Sequence, residues 1–520
     1  STKDAYAFSA EGKDSDTAAV STITGSGVYN IVGDIRAADG GILTLDLAEG
    51  SRFEGKAVLD SGNDSQSTLT MAKNSLWTLT GNSQLNSLQN EQSVIDMTGD
   101  NKAFSTLSVE TLTGNGGTII MDIDGSQVDA SDKIYVTGDF SGSHTLSLKE
   151  INGLDSDPGI GQAAENTVLA SVNGSGTFTA DDQEGTLYWQ RYELGQKDSA
   201  ASGYTTDWYL KGITNLNLPT TSVEAIAASG ALAYHTWRDH DQLLQRLGDL
   251  RQHGREEEGV WVRVKGGKLS RSDQFEFENK YTQYELGYDQ KLKSTPAYTR
   301  YAGISFSYFD GDSSYSSGSG ENKVKALNIY GTQIGAKGHY LDLVLKYSQL
   351  DNDFKVFDTS GNKITGDYDQ NGLSISAEYG RKNNLKNNWY IEPQAQLTFG
   401  RLRGTDYTTS NGIRVDQDGI DSFVGRIGFN ICKDINEKTN IYLKANLMHE
   451  FGGGYNASMV DAGGTKARLD RDFDDTWFEY GLGAAVQTGK NNYFYVDVER
   501  SAGSDYKKDW QWNVGARWSF

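Results

Sequence analysis

The sequence predicts an all-β protein: a right-handed parallel β-helix over the front half, then one α-helix held inside a 12-stranded antiparallel transmembrane β-barrel. Three observations carry that reading. From Gly259 to Phe520, apolar and polar residues alternate with period two in segment after segment. Just before them lies a single long helical pattern. Before that, residues 1–218 hold short β-prone runs separated by Gly, Asn and Asp. Alternation marks strands with two unlike faces, and apolar spacing of three and four marks a helix.

The barrel segment comes first because its signal is strongest. Val260, Val262 and Val264 share one face, and Trp261, Arg263 and Lys265 the other. Ile441, Leu443, Ala445 and Leu447 alternate with Tyr442, Lys444, Asn446 and Met448. At the end, Trp510, Trp512, Val514, Ala516, Trp518 and Phe520 alternate with Gln511, Asn513, Gly515, Arg517 and Ser519. A soluble sandwich also alternates. Here, however, Arg, Lys and Glu recur on the non-apolar face of nearly every strand, which suits a wet lumen with lipid outside. Arg263, Lys265, Glu285, Glu378 and Arg517 are therefore expected to face the lumen. Twelve segments start near Gly259, Phe275, Thr299, Asn322, Gly338, Asn371, Asn388, Asp421, Thr439, Thr476, Tyr493 and Asp509. Connections after the even-numbered strands read as short. Those after strands three, five, seven and nine read as longer and rich in Gly, Ser and Asp. Outer-membrane barrels have short periplasmic turns and longer extracellular loops, so both ends of the barrel segment belong at the periplasmic rim. Phe520 is expected to be the last strand residue. Pro393, unable to donate a ladder hydrogen bond, must lie at a rim or in a bulge.

The helix pattern spans residues 222–253. Thr221 with Glu224 three residues on reads as a capping box. Val223, Ile226, Ala227, Tyr234 and Trp237 lead into Leu243, Leu244, Leu247 and Leu250, and Gly254 suits a C-terminus. One continuous helix would span roughly 48 Å, and Gly230 and Gly248 are candidate breaks. Its polar face offers Arg238, Arg246, Asp249 and Arg251. Beside a barrel with a polar lumen, this helix is expected to fill the pore and pair with lumen charges. A helix running down the lumen to a periplasmic first strand must begin at the extracellular mouth. Residues 1–218 then lie outside the cell.

In the front half, runs such as Gly41-Ile42-Leu43-Thr44-Leu45 and Gly117-Thr118-Ile119-Ile120-Met121 recur at irregular intervals. Loose recurrence with this turn composition suits stacked β-coils; a β-sandwich is the rival. Residues 1–166 are expected to be the β-helix, 167–218 a terminal cap, 219–258 a linker and pore helix, and 259–520 the barrel.

Composition limits the function. Glycine is abundant (60) and proline scarce (4), and there are 28 Tyr and 10 Trp; that mixture fits β-structure with aromatic girdles. No apolar run is long enough for a transmembrane helix, which leaves barrels open. The net charge is −22, of which residues 1–218 hold −18. An acidic front half argues against nucleic acid, whose phosphates need Lys and Arg. The single Cys432 forms no internal disulfide. Ser1 shows neither an initiator Met nor a basic-then-apolar leader, so an exported chain has lost its signal or begins further upstream.

The order β-helix, linker, helix, barrel, terminal Phe resembles the monomeric autotransporters of type V secretion. The run Arg246-Leu247-Gly248-Asp249-Leu250-Arg251 followed by Gly259-Val260-Trp261-Val262-Arg263 is similar to that family's junction between helix and first strand. Asp132-Lys133-Ile134-Tyr135-Val136 and Thr206-Asp207-Trp208-Tyr209-Leu210 resemble a pertactin-type passenger and its autochaperone cap. Ala516-Arg517-Trp518-Ser519-Phe520 resembles the signal read by the barrel-assembly machinery, with Trp518 and Phe520 as its aromatic residues. The resemblance implies a Gram-negative outer-membrane protein that displays its own passenger, often an adhesin. The implied partners are outer-membrane lipid, the assembly machinery, periplasmic chaperones, and a surface ligand or a second copy. Some members cut their own linker at an Asn; Asn215 and Asn217 are candidates by position.

No catalytic, metal or cofactor site is expected. A serine triad needs an imidazole near the serine, and the front half has one histidine, His144, besides a faint Asp60-Ser61-Gly62 motif. Asp122-x-Asp124-Gly125 begins like a calcium loop but lacks its later ligands. Two alternatives stand beside the self-displaying adhesin. One is an enzyme passenger, protease or esterase, with its active site upstream of Ser1. The other is a plugged pore or uptake channel.

Overall fold

The computed structural model describes residues 6–13, 17–60, 64–99, 103–150, 164–238, 242–243, 258–489 and 491–520. The chain divides near Thr220 into two compact units.

The first unit is a parallel β-solenoid. Val20–Ile23, Ile42–Leu47, Gln66–Met71, Ser83–Asn90, Thr106–Thr113, Lys133–Phe140 and Val168–Gly174 stack in parallel as one sheet. Asn30–Val32, Arg52–Glu54, Leu76–Thr78, Val94–Asp96, Asn115–Ile123, Ser143–Glu150 and Thr177–Ala180 form a second. Phe8–Glu11, Ile35–Ala38 and Ala57–Leu59 form a short third. Register explains the core. Leu45, Leu69, Leu88, Leu112 and Phe140 lie directly above one another. So do Phe53, Trp77, Ile95, Ile119 and Leu146 on the second sheet. Each strand sends alternate side chains inward, so stacking coils builds one continuous apolar column. The parallel stack ends in antiparallel strands: Thr206–Pro219 pairs with Val168–Gly174 and then with Tyr188–Asp198. Trp208 from this end meets Phe178 edge-on at 5.5 Å, and Phe178 stacks on Phe140 at 4.5 Å.

The second unit is a closed barrel of 12 long strands. In order they are Gly259–Arg271, Phe277–Ser294, Tyr298–Tyr315, Gly318–Gly335, His339–Phe357, Lys363–Arg381, Trp389–Leu402, Ile420–Asn436, Thr439–Glu450, Asp475–Gln487, Asn492–Ala502 and Tyr506–Ser519. Each pairs antiparallel with the next, and the first pairs with the last, so the wall has no free edge. The outward residues form an apolar belt. Leu286, Phe306, Leu327, Tyr347 and Leu373 lie side by side across five strands and are all exposed.

Three sequence expectations change in detail. The connection after strand three is only residues 316–317, and that after strand five residues 358–362. The Gly, Ser and Asp stretches there continue the strands as ladder, with Asp312 opposite Glu321 and Ser313 opposite Gly320. Phe520 lies one residue past the last strand and donates its N–H to the Glu258 carbonyl at 3.0 Å. Pro393 sits inside strand seven and pairs with Phe429 on one side. On its other side the pairing lapses between Gly380↔Gln394 and Asn383↔Ile391, where a missing N–H costs nothing.

Candidate functional site

The site is the filled lumen. The helix Thr221–Arg238 is buried on every face, from Ser222 to Arg238 apart from Glu224. A helix buried all round belongs inside a core or a pore, and this one is surrounded by barrel wall. Its small residues set the fit. A side-chain carbon at Gly230 would lie 2.6 Å from the Tyr455 hydroxyl and 3.0 Å from Gln417 Oε1. A carbon at Gly372 of the wall would lie 2.0 Å from Trp237 Nε1. Glycine is the residue that permits each approach.

Several polar groups on the helix find partners in the wall and the connections above it. The Asn411 amide donates to Ser222 Oγ at 3.0 Å, and Ser229 Oγ lies 2.8 Å from the Tyr368 hydroxyl. Tyr234 donates to Glu450 at 2.6 Å. Glu450 also accepts from Ser422 Oγ (2.6 Å) and from the N–H groups of Phe423 (2.7 Å) and Gly452 (3.0 Å). Arg238 reaches the same carboxylate at 3.6 Å and lies over the Trp477 ring at 4.5 Å. His235 stacks on Tyr506 at 4.0 Å and meets Arg271 Nη1 at 2.9 Å. A buried charge is tolerated when an opposite charge and hydrogen bonds surround it; Glu450 supplies that seat.

Two connections close over the helix. Residues 403–419 and 451–474 each fold into a hairpin, and the hairpins join as one four-stranded antiparallel sheet. Its order is Thr405–Thr408, Arg414–Gln417, Gly454–Val460, Lys466–Asp472. Tyr455, Ala457 and the neighbouring Phe473 pack in one cluster with Ala227, Ala231 and Tyr234 of the helix.

The residues singled out from sequence fall as follows. Arg263 pairs with Glu285 on the adjacent strand, and Arg517 with Asp289, all four buried in the lumen wall. Lys265 is buried on the same face. Glu378 accepts the Leu243 N–H at 2.9 Å and pairs with Arg426 at 3.2 Å. The wall charges thus pair mostly with one another, and Arg238 finds Glu450. Arg246, Asp249, Arg251, His240, His253 and Gly254 lie outside the described residues, as do Ser61 and Gly62. Trp518 and Phe520 point outward, 40% and 64% exposed. Asn215, on the last strand of the first unit, accepts from Gln190 Nε2 at 3.3 Å; Asn217 is exposed, with φ +55°.

Sequence reasoning missed Glu450, Tyr455 and the hairpin sheet. Glu450 was within reach: it continues the polar phase of Lys444, Asn446 and Met448 on one strand face. In the first unit, His144 is buried against Phe140 (5.8 Å) and Phe178 (6.2 Å), and burial pushes its imidazole below the ordinary 6.5. Asp124 accepts from Ser126 N (2.8 Å) and Gln127 Nε2 (2.7 Å), which fixes a turn. Asp132 accepts the N–H groups of Ser105 (2.6 Å) and Asp122 (2.7 Å), and burial raises its carboxyl to about 7.

A closed barrel with an apolar outer belt, a helix sealing its lumen and a β-solenoid ahead of that helix define an outer-membrane translocator carrying an extracellular passenger. Residues 260–499 match the Autotransporter beta-domain family and residues 85–212 the Pertactin family. The two matches together support a classical autotransporter, a β-domain preceded by a pertactin-type segment. The chain is 28% identical to the Probable autotransporter YcgV of Escherichia coli strain K12, over 97% of this chain and 55% of that protein. It is 28% identical to the Pertactin autotransporter of Bordetella bronchiseptica, over 94% of this chain and 56% of that one. The Serine protease pet autotransporter of Escherichia coli O44:H18 also matches, 26% identical over 88% of this chain and 34% of its own length. The chain spans about half the length of the first two relatives.

Proposed function

We propose that the displayed solenoid serves contact, as an adhesin or aggregation factor, and that this part of the passenger is not an enzyme. The observation that carries the reading is the solenoid itself. Its interior is a continuous aliphatic and aromatic column, and its exterior is rows of Thr, Ser, Asn and Asp. Stacked coils of this kind give an extended surface for contact. The match to the Pertactin family over residues 85–212 supports it. Cells displaying the chain should sediment together or attach to matrix or glycan more than cells displaying the barrel alone. Equal behaviour of the two, with esterase or protease activity in the displayed chain, would sink the reading.

Three narrower proposals accompany it. Residues 167–218 act as the cap that ends the β-helix of residues 1–166: Val168–Gly174 and Thr177–Ala180 lay down the last parallel strands, and the direction reverses at Thr206–Pro219. Residues 219–258 are the linker and plug of the barrel at 259–520. Trp518 and Phe520, both outward, are the residues that assembly factors read, with periplasmic chaperones guarding the chain before insertion. Cleavage at Asn215 or Asn217 would give two fragments in mass spectrometry of the purified membrane form; one intact chain is the expected result.

A further inference from the structure

The lipid face of the barrel is not uniformly bulky. Across strands eight to eleven two apolar troughs, about 470 and 580 Å³, share Ile431, Leu443, Leu482 and Val498. Cross-strand register shows why they form. One outward row reads Trp389, Lys433, Ile441, Ala484, Val496. Two rows further along, Phe429, Ala445, Tyr480 and Arg500 lie abreast. Ala484 and Ala445 are short where their neighbours are long, so the wall is indented between them.

The first row also contains a cation. Lys433 stands on the outward face near the short-turn end of the barrel, with its ammonium 5.1 Å from the Trp389 ring centre. Among the described residues no carboxylate lies within ion-pair distance of it. A lysine beside an aromatic ring at the headgroup level, above an apolar trough, matches a lipid with an anionic head. The short-turn end is the periplasmic end, so the lipid belongs to the inner leaflet of the outer membrane.

We propose that this trough is a specific seat for one anionic glycerophospholipid of the periplasmic leaflet. Its phosphate meets Lys433, its glycerol region lies against Trp389, and an acyl chain lies over Ala484 toward Leu482. The site is independent of what the passenger contacts.

The test uses the full chain, purified in detergent and exposed to phosphatidylglycerol or to zwitterionic phosphatidylcholine, with retained lipid counted by native mass spectrometry. One phosphatidylglycerol should be retained, with at least a tenfold preference over phosphatidylcholine. Lys433→Gln should abolish the preference and Lys433→Arg restore it. Ala484→Phe, which fills the trough, should reduce retention of both lipids. Folding of each variant is checked by the heat-dependent gel shift of a closed barrel. No preference in the parent chain, a preference unchanged in Lys433→Gln, or retention unchanged in Ala484→Phe would overturn the proposal. So would a preference lost in Arg500→Gln instead, which would place the head at the opposite end of the trough.

Discussion

Two buried titratable side chains, Asp132 and His144, contribute to the pH response of the solenoid with opposite signs. Asp132 has its carboxyl raised from 3.8 to about 7 by burial. Between those values the folded chain holds more protons than the unfolded one, so this group's contribution falls as pH rises. His144 is lowered by burial. There the unfolded chain holds more protons, so stability is lost as pH falls below about 6.5. Hydrogen exchange of the full chain at pH 5 and 7 should separate them. His144→Phe, completing a ring stack with Phe140 and Phe178, should remove the acid loss. Asp132→Ala should strip two buried N–H groups of their acceptor and cost at least about 2 kcal/mol at pH 7. Equal acid sensitivity in His144→Phe and the parent would show that the imidazole is not the lever.

At the scale of the element, the helix and its lid depend on one close contact. Gly230→Leu places a side chain where Tyr455 and Gln417 already stand. The hairpin sheet should lift, and single-channel conductance in planar bilayers should rise from near zero to open steps. An unchanged closed state would mean the hairpins do not seal the lumen. Trp208→Ala removes the ring that joins the terminal antiparallel strands to Phe178 and should cost about 3–5 kcal/mol. Faster exchange should then be confined to residues 164–220; uniform exchange along the solenoid would contradict a capping role. The helix start was legible from the Thr221–Glu224 spacing, and the barrel strands from their alternation. The hairpin sheet was not. Its pairing of Arg414–Gln417 with Gly454–Val460 joins two loops far apart in sequence, and no local pattern records such a partner. Strand ends were also hidden. Asp310–Tyr315 and Gly318–Asn322 lack an apolar outward face because their outward residues are polar and exposed, and Ser313 and Asn322 on the inward face are polar though buried, yet neighbouring strands still offer them a ladder. The lumen charges were legible as a phase, not as pairs. Arg263 could not be matched to Glu285 without the register of the two strands.

For the whole molecule, orientation carries the function. The first and last strands pair along their length, and Phe520 closes that seam through its N–H while its ring faces lipid. Deleting Phe520 should lower the outer-membrane level several-fold and leave the solenoid's exchange pattern intact; a normal level would remove it from the assembly signal. Protease added to intact cells should digest residues 1–218 before the barrel, and a protected front half would reverse the topology.

The strands from Phe277–Ser294 through Lys363–Arg381 are 18 or 19 residues long. About 9–11 tilted residues suffice to cross a bilayer. Their apolar outward residues gather at the short-turn end: Ile304 and Phe306 are followed by Asp310 and Asp312, and Leu341 to Tyr347 by Asp351 and Asp353. The surplus therefore stands clear of the lipid on the cell's outer side, around one arc of the rim only. An antibody approaching a living cell would reach a short tag placed at residues 316–317 at the crest of that parapet. The same tag at residues 437–438 would stay out of its reach.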